Sequence, residues 1–224
     1  SRTAPNPQSR NGPSLLGKVV FSPSDNQRIR FTVDANEDYS TIVGLSSLPV
    51  TPAPTSLCIW SQDGRDHQTR ARVSLEHEVN AITSTFADSL RWQIYRQDSE
   101  STQRTVELRS NNSRRQMEHN FDQRVYGLQA GFHKGFTTGA VEHALTYGID
   151  ATVSDTKEKR DGTSTDLATG VVSNVVGQDA FPVRDFPISR TTKAGLYVQD
   201  EMTLVDARLT LVPALRVDHY AIDS

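Results

Sequence analysis

Six histidines, His67, His77, His119, His133, His143 and His219, are the side chains best suited to hold a metal ion or a haem iron. Their spacing makes no metal site by itself. No two have the His-Glu-x-x-His arrangement that sets two imidazoles on one helix face, and the single cysteine, Cys58, excludes every cysteine-based zinc set. His77 and His143 fall inside strand-like segments and read as structural or interface residues. His67 and His119 fall at the strand ends of long polar connections, where an imidazole could reach bound haem. No residue is assigned to a cofactor or a metal. Cys58 lies in the Pro-rich stretch Leu48 to Trp60; in an oxidising compartment it either pairs with a partner outside this chain or stays a free thiol. Asp155, Lys157, Glu158, Lys159, Arg160 and Asp161 read as a solvated loop tip, with a ligand contact there as the sharper alternative. There is no Gly-x-Ser-x-Gly elbow and no phosphate-binding loop, so no catalytic residues are assigned and the chain is not read as an enzyme.

The elements that position these groups are strands. Ile29, Phe31 and Val33 alternate with Arg28, Arg30 and Thr32; Ala71, Val73 and Leu75 alternate with Arg70, Arg72 and Ser74. His143, Leu145, Tyr147, Ile149, Ala151 and Val153 share one side of a third segment, with Glu142, Thr146 and Asp150 on the other. A period of two marks a sheet with one apolar and one polar face. Leu15–Ser22, Gln27–Ser40, Thr69–Val79, Leu90–Ile94, Phe121–Gly135, Val141–Val153, Thr191–Leu204 and Leu209–Tyr220 make about eight strands, and no segment reads as an amphipathic helix. Short connections (22–26, 80–87, 137–140 and 205–207) alternate with long polar ones (40–68, 98–120 and 154–190).

Composition narrows the class further. The chain has 224 residues, with 24 Lys and Arg against 27 Asp and Glu, a formal charge of −3. That balance excludes a general nucleic-acid binder. Hydrophobic residues make up only 35%, low for an ordinary globular core. No apolar run is long enough for a membrane-crossing helix. A transmembrane β-barrel is compatible with all of this, because every second residue of its strands faces a polar lumen. Short turns on one rim and long loops on the other are its usual layout. Phe21, Phe86, Phe132 and Phe136 lie near the short turns, as an interfacial aromatic girdle would.

Particular residues then carry a resemblance. Gly195-Leu196-Tyr197-Val198-Gln199-Asp200-Glu201, followed by Leu209-Thr210-Leu211-Val212-Pro213-Ala214-Leu215-Arg216-Val217-Asp218-His219-Tyr220, resembles a hairpin of TonB-dependent outer-membrane receptors. His143-Ala144-Leu145-Thr146-Tyr147-Gly148-Ile149-Asp150 is similar to the strand that precedes it. Leu90 to Gln97 and Val125 to Gln129 resemble the branch that receives haem, haemoglobin, transferrin and lactoferrin. The resemblance covers most of residues 13–220. It implies a 22-strand barrel in the outer membrane of a Gram-negative bacterium, with an N-terminal plug and a TonB box through which the TonB complex pulls. It also implies cargo at the extracellular loops and outer-membrane lipid around the wall.

The expected fold is therefore all-β: an antiparallel transmembrane β-barrel, present as an open curved slice of about eight strands. Residues 1–224 are read as barrel alone, without plug, TonB box or C-terminal aromatic strand. The polar start, Ser1 to Pro13, has no secretory signal, and if the short turns are periplasmic both ends of the chain are extracellular, which again reads as an internal slice. Arg72, Glu76, Arg208 and Arg216 are expected to face the lumen and pair across strands or with the plug. The expected function is TonB-energised uptake of haem or a haem- or iron-carrying protein, with haem or an iron complex as cargo and no intrinsic cofactor. A ferric-siderophore or other metallophore receptor is the nearer alternative. A soluble extracellular β-sandwich binding module is the alternative of another class, in which two apolar faces would close over each other.

Overall fold

The computed structural model describes residues 5–49, 57–204 and 208–224. Its strands are β1 (Gln8–Asn11), β2 (Ser14–Ser24), β3 (Gln27–Val43), β4 (Ile59–Val79), β5 (Ser89–Arg109), β6 (Ser113–Thr138), β7 (Val141–Asp166), β8 (Val172–Ser173), β9 (Val175–Val176), β10 (Asp179–Ala180), β11 (Ser189–Leu204), β12 (Leu209–Leu211) and β13 (Ala214–Asp223). All but β9 and β10 belong to one antiparallel sheet. β1 and β2 share the same partner, β3, and β12 and β13 share β11. The sheet therefore has eight strand positions in sequence order, as a meander. Among the described residues no second layer covers the apolar face of this open sheet, so they do not form the two closed faces of a β-sandwich.

Register fixes the two faces. Val19, Phe31, Leu75, Ile94, Leu128, Ala151 and Ala194 are successive cross-strand partners from β2 to β11. Neighbouring pairs on the same side include Val33 with Val73, Trp92 with Ala130, Ile149 with Leu196, and Val198 with Leu215. This apolar face is left open: Val19, Leu196, Leu215 and Val217 are each more than 60% exposed. Charged rows bound it. On β6 the outward residues run from Arg124 through Tyr126, Leu128, Ala130 and Phe132 to Lys134. Those ten steps cover about 33 Å of strand at about 3.3 Å per residue. At a tilt of about 40° that is about 25 Å of height, the height of a bilayer-facing apolar band.

Phe21, Phe132 and Phe136 stand on the apolar face toward the short turns. Phe132 stacks on Tyr147 at 5.2 Å and Phe136 on His143 at 4.5 Å. Phe86 lies in the connection below, where its carbonyl accepts the Tyr147 hydroxyl at 2.8 Å. The β6–β7 turn needs only Gly139 and Ala140; Gly139 takes φ +62°, the left-handed conformation that a two-residue hairpin of this kind asks of its first residue. The expected turn at 205–207 lies outside the described residues.

Three of the expected connections differ from the sequence reading. Residues 98–120 form no long loop: β5 and β6 run on to Arg109 and Ser113 and join through three residues, with Asn112 at φ +57°. All of 59–68 belongs to β4, and 154–166 belongs to β7. Above the apolar band both faces meet water, so no alternation marks these extensions. On β6 alone they add eight residues, Ser113 to Asn120.

The polar face packs rings over glycines. Gly131, Gly148 and Tyr197 are cross-strand neighbours in one row, and a Cβ on Gly148 would meet the Ala130 carbonyl and lie 2.6 Å from the Tyr197 hydroxyl. Gly148→Ala is therefore expected to destabilise the folded sheet by about 1–3 kcal/mol through overpacking. Removing the ring with Tyr197→Ala in the same chain should recover only the side-chain part of that loss, because the carbonyl stays. Denaturant unfolding in lipid checks both; a neutral Gly148→Ala would mean the strands separate there.

Candidate functional site

The candidate site is the polar face together with the far end of the sheet. Within the band, Glu76 on β4 is the most enclosed charge, its side chain 7% exposed. Its two oxygens accept from Arg30 Nη1 on β3 and Arg91 Nη2 on β5, each at 2.7 Å. Arg72 lies 4.0 Å from the centre of the Tyr95 ring. Arg216 on β13 contacts Asp150 on β7 at 2.8 Å and Asp218 on its own strand at 2.6 Å. The expectation for Arg72, Glu76 and Arg216 holds: all three share the polar face and find partners on the wall. Arg208 does not join them; it sits in the turn before β12.

At the long-strand end, the segment between β7 and β11 folds back along the free edge of β7. β11 pairs with β7 only as far as Thr156. Beyond it, Arg160 exchanges two backbone hydrogen bonds with Val183, and Val172 and Ser173 pair with Thr165 and Ser164. The Glu158 carboxylate accepts the Asp185 N–H at 2.8 Å, and Arg160 reaches the Asp185 carboxylate at 2.7 Å. Phe181 is 3% exposed, with Gly162 beneath it: a Cβ there would lie 2.9 Å from both the ring and Met117 Sδ. Phe186 meets Phe121 edge-on at 6.4 Å. At the tip, the N–H groups of Thr169 and Ala168 hold the Asp166 carboxylate and lower its pKa. The result is an ordered strap of rings and arginines at the rim of the polar face.

This corrects the reading of 155–161 as a loop tip. These residues alternate within β7: Asp155, Lys157, Lys159 and Asp161 share the side of the apolar face, while Glu158 and Arg160 lie under the strap. Sequence reasoning missed the strap because its contacts join Met117, Arg160 and Phe181, which no local pattern links.

The histidines do not converge. His67 and His119 lie inside β4 and β6, not at loop ends, and by register on opposite sides of the sheet. His67 stacks on Tyr39 at 4.3 Å and contacts Glu37 at 2.8 Å. His77 meets Trp92 edge-on and Gln27 Oε1 at 3.2 Å; His143 Nδ1 contacts Asp200 at 2.7 Å. His133 faces Thr146 on the polar side, and His219 is exposed on β13. Among the described residues no three of His, Cys, Asp and Glu could hold a metal ion together. Cys58 is free and half-buried, and its backbone pairs with Ser110.

Comparison with known proteins follows the same architecture. No curated protein matches the chain. Among solved structures, the unliganded ferric citrate transporter FecA superposes with a TM-score of 0.64 at 14% identity, covering 96% of this chain and 30% of FecA. BauA, the ferric preacinetobactin receptor from Acinetobacter baumannii, superposes at 0.53 and 17% identity, covering 96% of this chain and 34% of BauA. The chain thus spans about a third of these structures. Both likenesses are of fold. A family model described as "TonB dependent receptor-like, beta-barrel" matches residues 7–224. The chain belongs to the TonB-dependent receptor-like β-barrel family.

Proposed function

We propose that residues 1–224 are an arc of the wall of a Gram-negative outer-membrane receptor that imports a ferric chelate with energy from the TonB complex. The carrying observation is the two-faced sheet: an open apolar band about one bilayer core high, a polar face of paired charges, and hairpins that project beyond both. The polar face supports contact with a plug, and the exposed Arg184 and Phe186 of the strap support a contact with cargo at the outer rim, over a buried Phe181 and an Arg160 held by Asp179 and Asp185. Plug, TonB box and the remaining strands are assigned to the rest of a longer protein. The fold neighbours named for ferric citrate and ferric preacinetobactin favour a small chelate. Haem or a haem-carrying protein is the second reading, supported by the Leu90–Gln97 and Val125–Gln129 resemblance. Against a haem clasp built within this arc, His67 and His119 stand on opposite sides. The family's members are transporters, which supports a non-enzymatic role.

The test is iron uptake by cells lacking the receptor gene. Deletion is expected to abolish uptake of iron from one or more ferric chelates, among ferric citrate and a set of purified siderophores. It should leave growth on haemin unchanged. Loss of growth on haemin with every chelate retained would establish the second reading. A receptor absent from the outer-membrane fraction would overturn both.

A further inference from the structure

Among the described residues two carboxylates are buried, Glu76 within the band and Glu158 above it. Glu76 is answered by two arginines. Glu158 instead accepts a backbone N–H, that of Asp185, at 2.8 Å. A buried carboxylate is costly unless it is hydrogen-bonded. Glu158 stands at 9% exposure on a hairpin whose two faces otherwise meet water, so its burial is the work of the strap and serves the strap.

The hold is built residue by residue. Val183 exchanges two backbone hydrogen bonds with Arg160, at 2.8 and 2.9 Å. Arg184 donates from Nη1 to the Glu158 carbonyl. Asp185 is held twice, its N–H by the Glu158 carboxylate and its own carboxylate by Arg160 Nη1 at 2.7 Å. Phe181 lies beneath, its ring centre 5.8 Å from the Arg160 guanidinium. Two residues of β7 thus fix Phe181, Val183, Arg184 and Asp185 together. The next residue, Phe186, rests edge-on against Phe121, and the two rings remain 38% and 40% exposed. The Arg184 guanidinium has one nitrogen engaged and stays exposed, with further N–H donors to offer.

An arginine and a ring that are ordered only when a ligand arrives weaken its binding, because their freedom is lost at that moment. We propose that Glu158 and Arg160 are positioning residues for cargo capture. They touch no cargo; they hold Arg184 and Phe186 in one arrangement before it arrives. The ligand this suits is an anionic chelate small enough to meet the guanidinium and the exposed phenyl pair together. The inference rests on the ferric-chelate reading of the function and adds the residues that set the affinity.

The test follows uptake of radioactive iron by cells whose receptor gene is replaced by full-length variants. The iron is given as ferric citrate, a ferric trihydroxamate and a ferric tricatecholate. Glu158→Ala and Arg160→Ala are each expected to raise the half-saturating concentration of the transported chelate about fivefold or more, with the maximal rate per receptor kept. Glu158→Gln retains an acceptor for the Asp185 N–H and should recover most of that loss. In an Arg184→Ala, Phe186→Ala background the alanine substitutions should change half-saturation less than about twofold, since the groups they position are gone. Hydrogen exchange of segment 181–188 in the purified receptor should quicken in Glu158→Ala and Arg160→Ala and stay slow in Glu158→Gln. A lower maximal rate at unchanged half-saturation, a full effect without Arg184 and Phe186, or slow exchange in every variant overturns the proposal. Uptake of none of the three chelates by the wild type overturns the ferric-chelate reading and the capture role with it. Chelate uptake indifferent to both positions overturns the positioning role alone.

Discussion

Leu128→Lys in the full receptor is expected to cost about 2–4 kcal/mol in a bilayer, the range for a basic residue at the lipid-facing midplane of a barrel. Leu128 sits near the middle of the outward run from Arg124 to Lys134, between Ile94 and Ala151. A lysine there must bring its ammonium into hydrocarbon or bend it to the interface. The adjacent Gln129→Lys points to the other face, between Gln93 and Asp150, and should change stability by no more than about 0.5 kcal/mol. Urea unfolding of both variants in liposomes measures the difference. A larger cost at Gln129 would reverse the two faces. Equal costs would mean that neither face meets lipid, and the membrane reading would fail with them.

The contrast between these neighbours also explains what was legible in the sequence. Alternation survives only where the two faces see different solvents. From Leu90 to Ile94 one side belongs to the open apolar band and the other to the polar face, and the pattern is plain. From Ser99 to Thr105 both sides meet water, so Ser-Glu-Ser-Thr-Gln-Arg-Thr reads as loop although it is β5. The same loss hid the upper halves of β4, β6 and β7, and it misplaced His67 and His119 at loop ends. Asn111-Asn112 was the one local clue to the tight β5–β6 turn, since Asn tolerates the left-handed conformation that Asn112 adopts. The wall side of the site was more legible than its rim. Arg72, Glu76 and Arg216 follow from alternation within the band. The strap depends on Phe181 reaching Gly162 and Met117 across the chain, a contact set by tertiary packing alone.

Glu76→Ala is the second large effect. The carboxylate is nearly closed off from solvent and joins three adjacent strands, β3, β4 and β5, through Arg30 and Arg91. Removing one partner of a buried ion pair costs about 3–5 kcal/mol, because the other charge stays desolvated. Here the stranded group is Arg30, 25% exposed, while Arg91 at 62% can return to water. The expected loss is therefore about 2–3 kcal/mol, below that full range because exposed pairs contribute little. Adding Arg30→Met to Glu76→Ala should recover more than half of it, since the double variant leaves no uncompensated charge on β3. Denaturant unfolding of the four members of this cycle gives the coupling directly. A neutral Glu76→Ala would show that water reaches the carboxylate from the lumen. Backbone pairing and the lipid-facing band would then be enough to hold these strands, and the charges of the polar face would be free to bind whatever the receptor encloses.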